Sequence, residues 1–433
     1  MQPSLSVIIL NWNGRPFLEQ CLNALAAQDR PAGHVIMADN GSTDGSVAFV
    51  RERFPWVTIH ENGGNIGFAA GNNSVIRDNK DDIIVLLNPD VVLSPDCLGE
   101  LANALADDMR TGIVGCRLWY PGGEVIQHAG GYITQPQAMP GHDSIGERDE
   151  GQHGHPRDVE YVIGAAMAVR RTIFDEIGLL DEGYFLYFED GDLCTRARQV
   201  GYRVVYWPAA TGIHVESATA VKGSFAYLQR FHCSRWRYLL KHFPAEVITN
   251  ATLKAEAEWI DGLDPVERRA VTLAYLATQR GLTEIWDARV REGAGALPPE
   301  TRAIIQDGLA ELRARARAAE FDPVTFSRLA DAAVLREQPF VSAVPIIGPI
   351  IARFRTAWNN VASRWYIGHL MAQQNEFNRL AVAQLATYET ELREQMELLE
   401  EQVVITAELR QRIETLQTQV ADLRRQVATQ SGN

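Results

Sequence analysis

Over the first 120 residues, short apolar runs alternate with stretches in which apolar positions recur every three or four residues. Ser6–Leu10, His34–Asp39, Trp56–Glu61 and Ile83–Leu87 read as buried strands, because each is a short apolar, β-branched run bounded by polar turn formers. Between them, Phe17–Gln28, Gly45–Phe54 and Ala69–Asn79 carry helical spacing. Strands alternating with helices predict an α/β unit with a parallel sheet covered on both faces. Further along, Tyr161–Val169 reads as another buried strand, and Leu193–Val200 as a helix closed by Gly201. The Gly-, Pro-, His- and charge-rich stretch from Thr134 to Asp158 reads as a long mobile loop.

After Pro244 the pattern changes. Residues 246–337 are rich in Ala, Glu, Arg and Leu and read as a helical linker region, broken between Gly293 and Pro299. In 338–376, Phe340 to Ile351 and then Phe354, Trp358, Val361, Trp365, Tyr366 and Leu370 recur at helical spacing among Arg353, Arg355 and Arg364. Such a segment suits a membrane interface, where Trp and Tyr are favoured and Arg meets anionic lipid, or the face of a partner helix. From 377 to 430 a heptad emerges, with Leu385, Leu392, Leu399, Thr406, Ile413, Val420 and Val427 at a. Tyr388, Gln395, Gln402, Leu409, Leu416 and Leu423 stand at d. Ten of these thirteen positions are apolar, and β-branched a with Leu d in the last turns favours a parallel dimer. The chain therefore reads as an α/β domain over 1–245 followed by an all-α tail ending in a coiled coil that joins two copies.

Composition narrows the function classes. The 433 residues suffice for more than one core, and a net charge of −14 argues against a nucleic-acid binder. Cys21, Cys97, Cys116, Cys194 and Cys233 are scattered and lack paired spacing, which suits reduced thiols better than a disulfide frame or a zinc site. No basic n-region precedes the apolar run at Val7, and Val344–Ala352 is too short and proline-broken to span a bilayer. A cytoplasmic protein is expected, with the inner face of the cell membrane as its alternative location.

Three predicted strands end in polar residues, the place where open α/β sheets bind ligands. The first ends Asn11-Trp12-Asn13-Gly14. The second ends Asp39-Asn40-Gly41-Ser42-Thr43-Asp44-Gly45, where Asp39 can accept the imide N–H of a uracil or thymine and Ser42 or Thr43 can cap the next helix. A turn-stabilising role for Asp39 and Asp44 is the competing reading. The third, Ile83–Leu87, stops at Asn88-Pro89-Asp90, because proline cannot continue a ladder. One carboxylate at such an edge can anchor Mg²⁺ or Mn²⁺ together with substrate phosphates.

In order along the chain stand Val7-Ile8-Ile9-Leu10-Asn11-Trp12-Asn13-Gly14, Asp39 to Gly45, Asn65-Ile66-Gly67-Phe68-Ala69-Ala70-Gly71-Asn72-Asn73, Leu87-Asn88-Pro89-Asp90 and Tyr187-Phe188-Glu189-Asp190-Gly191-Asp192-Leu193-Cys194. Over roughly residues 4–243 this series resembles the family 2 inverting glycosyltransferases of GT-A fold, particularly their rhamnosyltransferase-like and galactofuranosyltransferase-like branch. The resemblance implies a UDP- or dTDP-sugar donor, a glycan or lipid-linked acceptor and a divalent cation. It assigns Asn11, Asn13, Asp39, Asn65, Gly67, Asn72 and Asn88 to the donor pocket. Asp90 and His214 fall to the metal, and Asn88 stands where the family's D-x-D motif has its first carboxylate. Asp190 matches the general base, and Glu189 and Asp192 lie on the acceptor side, one orienting the acceptor and the other capping the helix. A helix N-terminus beside Asp190 is expected to keep it ionised. Arg230, Arg235 and Arg237 suit either the leaving diphosphate or a solvated helix face. His142, His153 and His155, without ligand spacing, read as part of an acceptor-side lid. A Q-x-x-R-W segment and spanning helices, which processive synthases carry, are not found, so transfer of one or a few sugars is favoured. The alternative from another class is a coiled-coil scaffold with a vestigial transferase domain.

Overall fold

The computed structural model describes residues 2–215 and 223–318, with short helical stretches between 353 and 416. The chain divides into two units, the first spanning Met1–Ala316 with Val404–Asn433 and the second Arg317–Val403. Most of the aromatic and arginine segment of 338–376 lies outside the described residues, as do the heptad positions Tyr388, Leu392, Gln395, Val420, Leu423 and Val427. Within the first unit, Val404 is buried against Leu273 and Leu276.

The apolar runs form strands because both of their faces find a core. In β1 (Leu5–Asn11), Val7 and Ile9 pack into one cluster and Ile8 into the other; in β4 (Ile83–Leu87), Val85 and Leu87 face one side and Ile84 and Leu86 the other. This two-sided burial explains runs without polar alternation. β2 (His34–Asp39) and β3 (Thr58–Glu61) extend the sheet beyond β1, and all four of these strands run parallel. Helices α1 (Arg15–Ala26), α2 (Ser46–Arg53) and α3 (Phe68–Ile76) connect them.

The other half departs from a purely parallel sheet. After β5 (Val91–Leu93) and α4 (Cys97–Asp107) come β6 (Thr111–Trp119), β7 (Ile126–His128), β8 (Gly131–Ile133), β9 (Pro140–His142) and β10 (Arg157–Asp158). Then β11 (Ala166–Arg170) inserts antiparallel between β4 and β6. Helices α5 (Arg171–Ile177) and α6 (Glu189–Gln199) lead to β12 (Arg203–His214), which runs parallel to β6. The order is β10-β12-β6-β11-β4-β1-β2-β3. The result is a mixed sheet with helices on both faces, a GT-A-like α/β fold. Thr134–Asp158, expected as a mobile loop, contains two strands and is tied down by polar side chains. Arg157 pairs with Asp143 at 2.6 Å, and Asp149 accepts from Arg117 Nη1 at 2.9 Å and from the Trp119 indole at 2.7 Å.

Beyond the sheet, Ser224 caps α7 (Phe225–His242) by accepting from the Tyr227 N–H. A short helix α8 (Ala245–Val247), a π-helical turn (Ile248–Thr252), α9 (Leu253–Ile260), α10 (Pro265–Arg291) and α11 (Pro299–Ala318) follow. Asp264 starts α10 by accepting from the Val266 and Glu267 N–H groups, with Pro265 at the first helical position. The break between α10 and α11 falls where the glycines predicted it. Trp236 and Leu239 of α7, Tyr275 and Leu282 of α10 and Leu309 of α11 share a third core with Tyr184 and Phe188. The helices after residue 245 therefore pack on the segment that leads into α6.

Candidate active site

The ends of β1 and β2 close into a hydrogen-bonded pocket wall. Asn11 Nδ2 donates to Asp39 Oδ1 at 2.8 Å and to Ser42 Oγ at 3.0 Å, and the Ser42 N–H donates to Asp39 Oδ2 at 2.8 Å. Asn13 sits at φ 53° and joins this wall: its N–H donates to Ser42 Oγ, and its Oδ1 accepts from the Thr43 N–H, both at 2.8 Å. Asn11 Oδ1 is buried, and a Cβ at Gly14 would lie 2.4 Å from it, so the turn after β1 requires glycine there. Trp12, between the two asparagines, is 40% exposed. The expected cap by Ser42 or Thr43 does not form. Asp44 instead accepts from the Ser46 N–H at 3.0 Å and from the Arg15 N–H at 2.9 Å, freeing Ser42 to hold the two asparagines.

The start of α3 is set by Gly67, at φ 87° and with the Phe185 carbonyl oxygen 2.6 Å from where a Cβ would stand. Asn40 Nδ2 donates to the Gly67 carbonyl at 3.0 Å, and Asn65 Oδ1 accepts from the Gly67 N–H at 3.1 Å. Asn72 is buried within α3 and donates to the Phe68 carbonyl at 3.0 Å. Its neighbour Asn73, not singled out from sequence, ties α3 to the Leu180 backbone at 2.8 and 3.1 Å.

Asn88-Pro89-Asp90 ends β4 as expected, and the chain then re-enters the sheet as β5, paired with the last residues of β12. His214 is opposite Val91, and the Val215 N–H donates to the Asp90 carbonyl at 3.0 Å. This pairing holds His214 Nε2 3.3 Å from Asp90 Oδ1. A carboxylate and an imidazole this close, with His214 and Asn88 lining one cavity, make a donor set that suits Mn²⁺ or Mg²⁺ carrying substrate phosphates. The residues fit the cation that the motifs imply.

The first turn of α6 supplies the acids. Tyr187 and Phe188 both have left-handed backbones (φ 72° and 69°), an uncommon conformation for bulky residues that turns the chain abruptly into the helix. Asp190 Oδ2 accepts from the Gly164 N–H at 2.9 Å and Oδ1 from the Gly191 N–H at 2.7 Å. Next to Gly164, the Ala165 carbonyl accepts from the Asn88 N–H at 2.9 Å, so one short segment holds Asp190 and Asn88 together. Asn88, Gln127, His142, Tyr161, Glu189, Asp190 and His214 line one cavity of about 270 Å³, whose other walls include Tyr187, Tyr227 and Phe231. Burial pushes the Asp190 carboxyl above its ordinary range, outweighing the Gly164 and Gly191 N–H groups. Burial thus acts against the helix start and the backbone N–H groups, which favour the ionised form. Burial, then the neighbouring Asp190, pushes Glu189 well above the usual range.

Asp192 is turned away from this cavity. Its carboxylate accepts from Arg196 Nε at 2.8 Å, Lys241 Nζ at 2.6 Å, His242 Nε2 at 2.7 Å and the Tyr184 hydroxyl at 3.2 Å. Burial opposes ionisation here too, but Arg196, Lys241 and His242 hold this carboxyl well below the usual range. Among the described residues, Asp192, His242 and Glu292 form a cluster with metal-ligand spacing. The Lys241 ammonium already sits there, 2.6 Å from Asp192 and 2.8 Å from Glu292, so a protein cation serves it.

Two of the α7 arginines are neither solvated nor in the cavity. Arg235 is fully buried in a two-pronged pair with Glu256 at 2.7 and 2.8 Å, and Arg237 is held by Asp181 at 2.9 Å and by Glu284. A buried guanidinium needs such partners, and these lie on loops and helices far along the chain. Arg230 is exposed and stacks over the Phe185 ring. His142 does face the cavity, its Nδ1 2.8 Å from His128 Nδ1.

Residues 6–178 match the profile described as Glycosyl transferase family 2. The chain is 30% identical over 264 residues to the N-acetylglucosaminyl-diphospho-decaprenol L-rhamnosyltransferase of Mycobacterium tuberculosis, covering 55% of this chain and 85% of that protein. It is 24% identical over 237 residues to the low-salt glycan biosynthesis hexosyltransferase Agl10 of Haloferax volcanii, covering 52% of this chain and 72% of that one. Among solved structures, GalNAc-T7 with UDP, GalNAc and Mn²⁺ superposes with a TM-score of 0.48 at 13% identity, over 65% of this chain and 57% of that chain.

Proposed function

Because the chain belongs to glycosyltransferase family 2, on its rhamnosyltransferase-like branch, we propose that it transfers a sugar from a UDP- or dTDP-sugar to a hydroxyl of a glycan or lipid-linked acceptor, with inversion. The observation that carries this reading is the shared cavity: Asp190 stands on the same walls as Asn88 and His214, and a short segment joins the first two. Asp39, Asn11, Asn13 and Ser42 form the wall suited to the nucleobase and ribose, and Asn65, Gly67 and Asn72 shape the α3 side of the donor pocket.

Asp190 takes the proton of the acceptor hydroxyl as its oxygen attacks the anomeric carbon. The bond from that carbon to the diphosphate oxygen breaks with its electron pair leaving on the nucleoside diphosphate, so a single displacement inverts the centre. A positioned carboxylate typically contributes about 10²–10⁴-fold to such a step. Asp90 and His214 would hold the divalent cation, which when bound supplies positive charge for the departing diphosphate. Asn88 adds a neutral oxygen beside them. Glu189, on the same cavity and with its carboxyl pushed well above the usual range by burial and then Asp190, stands on the acceptor side.

For the tail, the heptad over 385–427 supports pairing of two copies. Segment 338–376 supports docking on a membrane that carries the acceptor or on a partner helix. Among the described residues, no helix is long and apolar enough to cross a membrane.

Calorimetric titration of UDP and dTDP with and without Mn²⁺ tests the donor site. Metal-dependent micromolar binding of one nucleotide, lost in Asp90→Ala, is expected. No binding of either by folded protein with metal present would overturn the reading.

A further inference from the structure

We infer that Gln127 is a positioning residue that fixes the tautomer of His214, turning its Nε2 into a lone-pair donor for the cation held with Asp90. This rests on the cation reading of Asp90 and His214.

Gln127 lies at the centre of β7, is buried, and reaches both the side chain and the backbone of His214. His214 Nδ1 is 2.7 Å from Gln127 Oε1, and Gln127 Nε2 donates to the His214 carbonyl at 3.5 Å. A backbone carbonyl can only accept, so the amide nitrogen belongs on that side. The amide oxygen is left facing Nδ1, and an oxygen acceptor requires the proton to be on Nδ1. In a neutral ring, Nε2 then carries a lone pair, and it points at Asp90 Oδ1 across 3.3 Å. That lone pair and the Asp90 carboxylate are the two groups a divalent cation taken up there would meet. Without Gln127 the neutral ring can instead carry its proton on Nε2, donate it to Asp90 and close the gap.

The arrangement is specific to an amide or carboxylate at position 127. An apolar residue would leave Nδ1 buried without an acceptor, and a carboxylate would restore one. Outer partners of this kind typically change metal affinity by about 10–100-fold. β7 also pairs with β6, so Gln127 is held by the sheet. It arrives from the stretch after Tyr120, which has no recognisable motif.

The test is Mn²⁺ affinity on the full chain in the presence of whichever of UDP or dTDP it binds, by calorimetry and by loss of the free Mn²⁺ electron-resonance signal. Gln127→Leu is expected to weaken Mn²⁺ about 10–100-fold, and Gln127→Glu to stay within a few-fold of the parent or bind more tightly. Thermal melting of both variants establishes that they fold, and Gln127→Met serves in place of Leu if that variant does not. Equal Mn²⁺ affinity in the parent and in a folded Leu or Met variant would overturn the role of Gln127. A parent protein that binds nucleotide but no Mn²⁺ would instead overturn the cation reading beneath it.

Discussion

The two faces of the first turn of α6 use the same residue type for opposite ends. Among the described residues, Asp190 faces a cavity and is held by backbone N–H groups, whereas Asp192, two residues on, is enclosed by Arg196, Lys241, His242 and Tyr184. The contrast shows in their protonation: burial raises the first carboxyl, and surrounding cations depress the second. A carboxylate held by neutral dipoles stays available to a substrate proton. One neutralised by Arg196 and Lys241 and bonded to His242 is a joint. Through Lys241 and Glu292 that joint also ties α6 to the end of α10, so the helices after residue 245 contribute to where Asp190 stands.

Removing Asp192 breaks the comparison most sharply. Asp192→Ala leaves Arg196 and Lys241 short of a buried partner and is expected to cost about 3–5 kcal/mol, read by chemical denaturation. Lys241→Met should cost less, about 2–3 kcal/mol, because Arg237 and Arg196 still serve Asp181 and Asp192. Ser42→Ala, at the donor wall, removes one acceptor shared by Asn11 and Asn13 and should cost about 1 kcal/mol, with a larger loss in nucleotide affinity than in stability.

The pH dependence sharpens the same contrast. With its folded pKa raised, Asp190 protonates as pH falls through a value above the ordinary carboxylate range, and turnover is lost there. Asp192 has a depressed folded pKa, so its stabilising contribution is present above the unfolded pKa of about 3.9 and is lost only as pH falls through the folded value. On acidification, activity should therefore disappear reversibly before the fold does, followed by turnover and circular dichroism on one sample. Coincident loss of both would contradict the assignment.

Much of the parallel half was legible because its determinants are local. Ile83–Leu87 and His34–Asp39 form strands at the expected residues, since an apolar run bounded by polar turns needs only its own neighbours to be read. The clustering of Asn11, Asn13 and Asp39 at adjacent strand ends follows from that topology. The antiparallel insertion of β11 was not legible, because a buried strand reads alike in either direction. The closeness of Asp192 to Lys241, His242 and Glu292, and the burial of Arg235 against Glu256, depend on tertiary packing across 21 to 100 residues. Gln127 and Gly164 act through one amide group each and stand in no motif. Their only trace in the sequence is a polar residue and a glycine within otherwise apolar stretches.

The assignment of Asp190 as base is the central claim, and single-turnover transfer by Asp190→Asn tests it most directly. Asn keeps the shape, so nucleotide and Mn²⁺ affinity and melting temperature should match the parent, while the rate of sugar transfer falls about 10²–10⁴-fold. Transfer at the parental rate by a folded, nucleotide-binding Asp190→Asn protein would contradict the account.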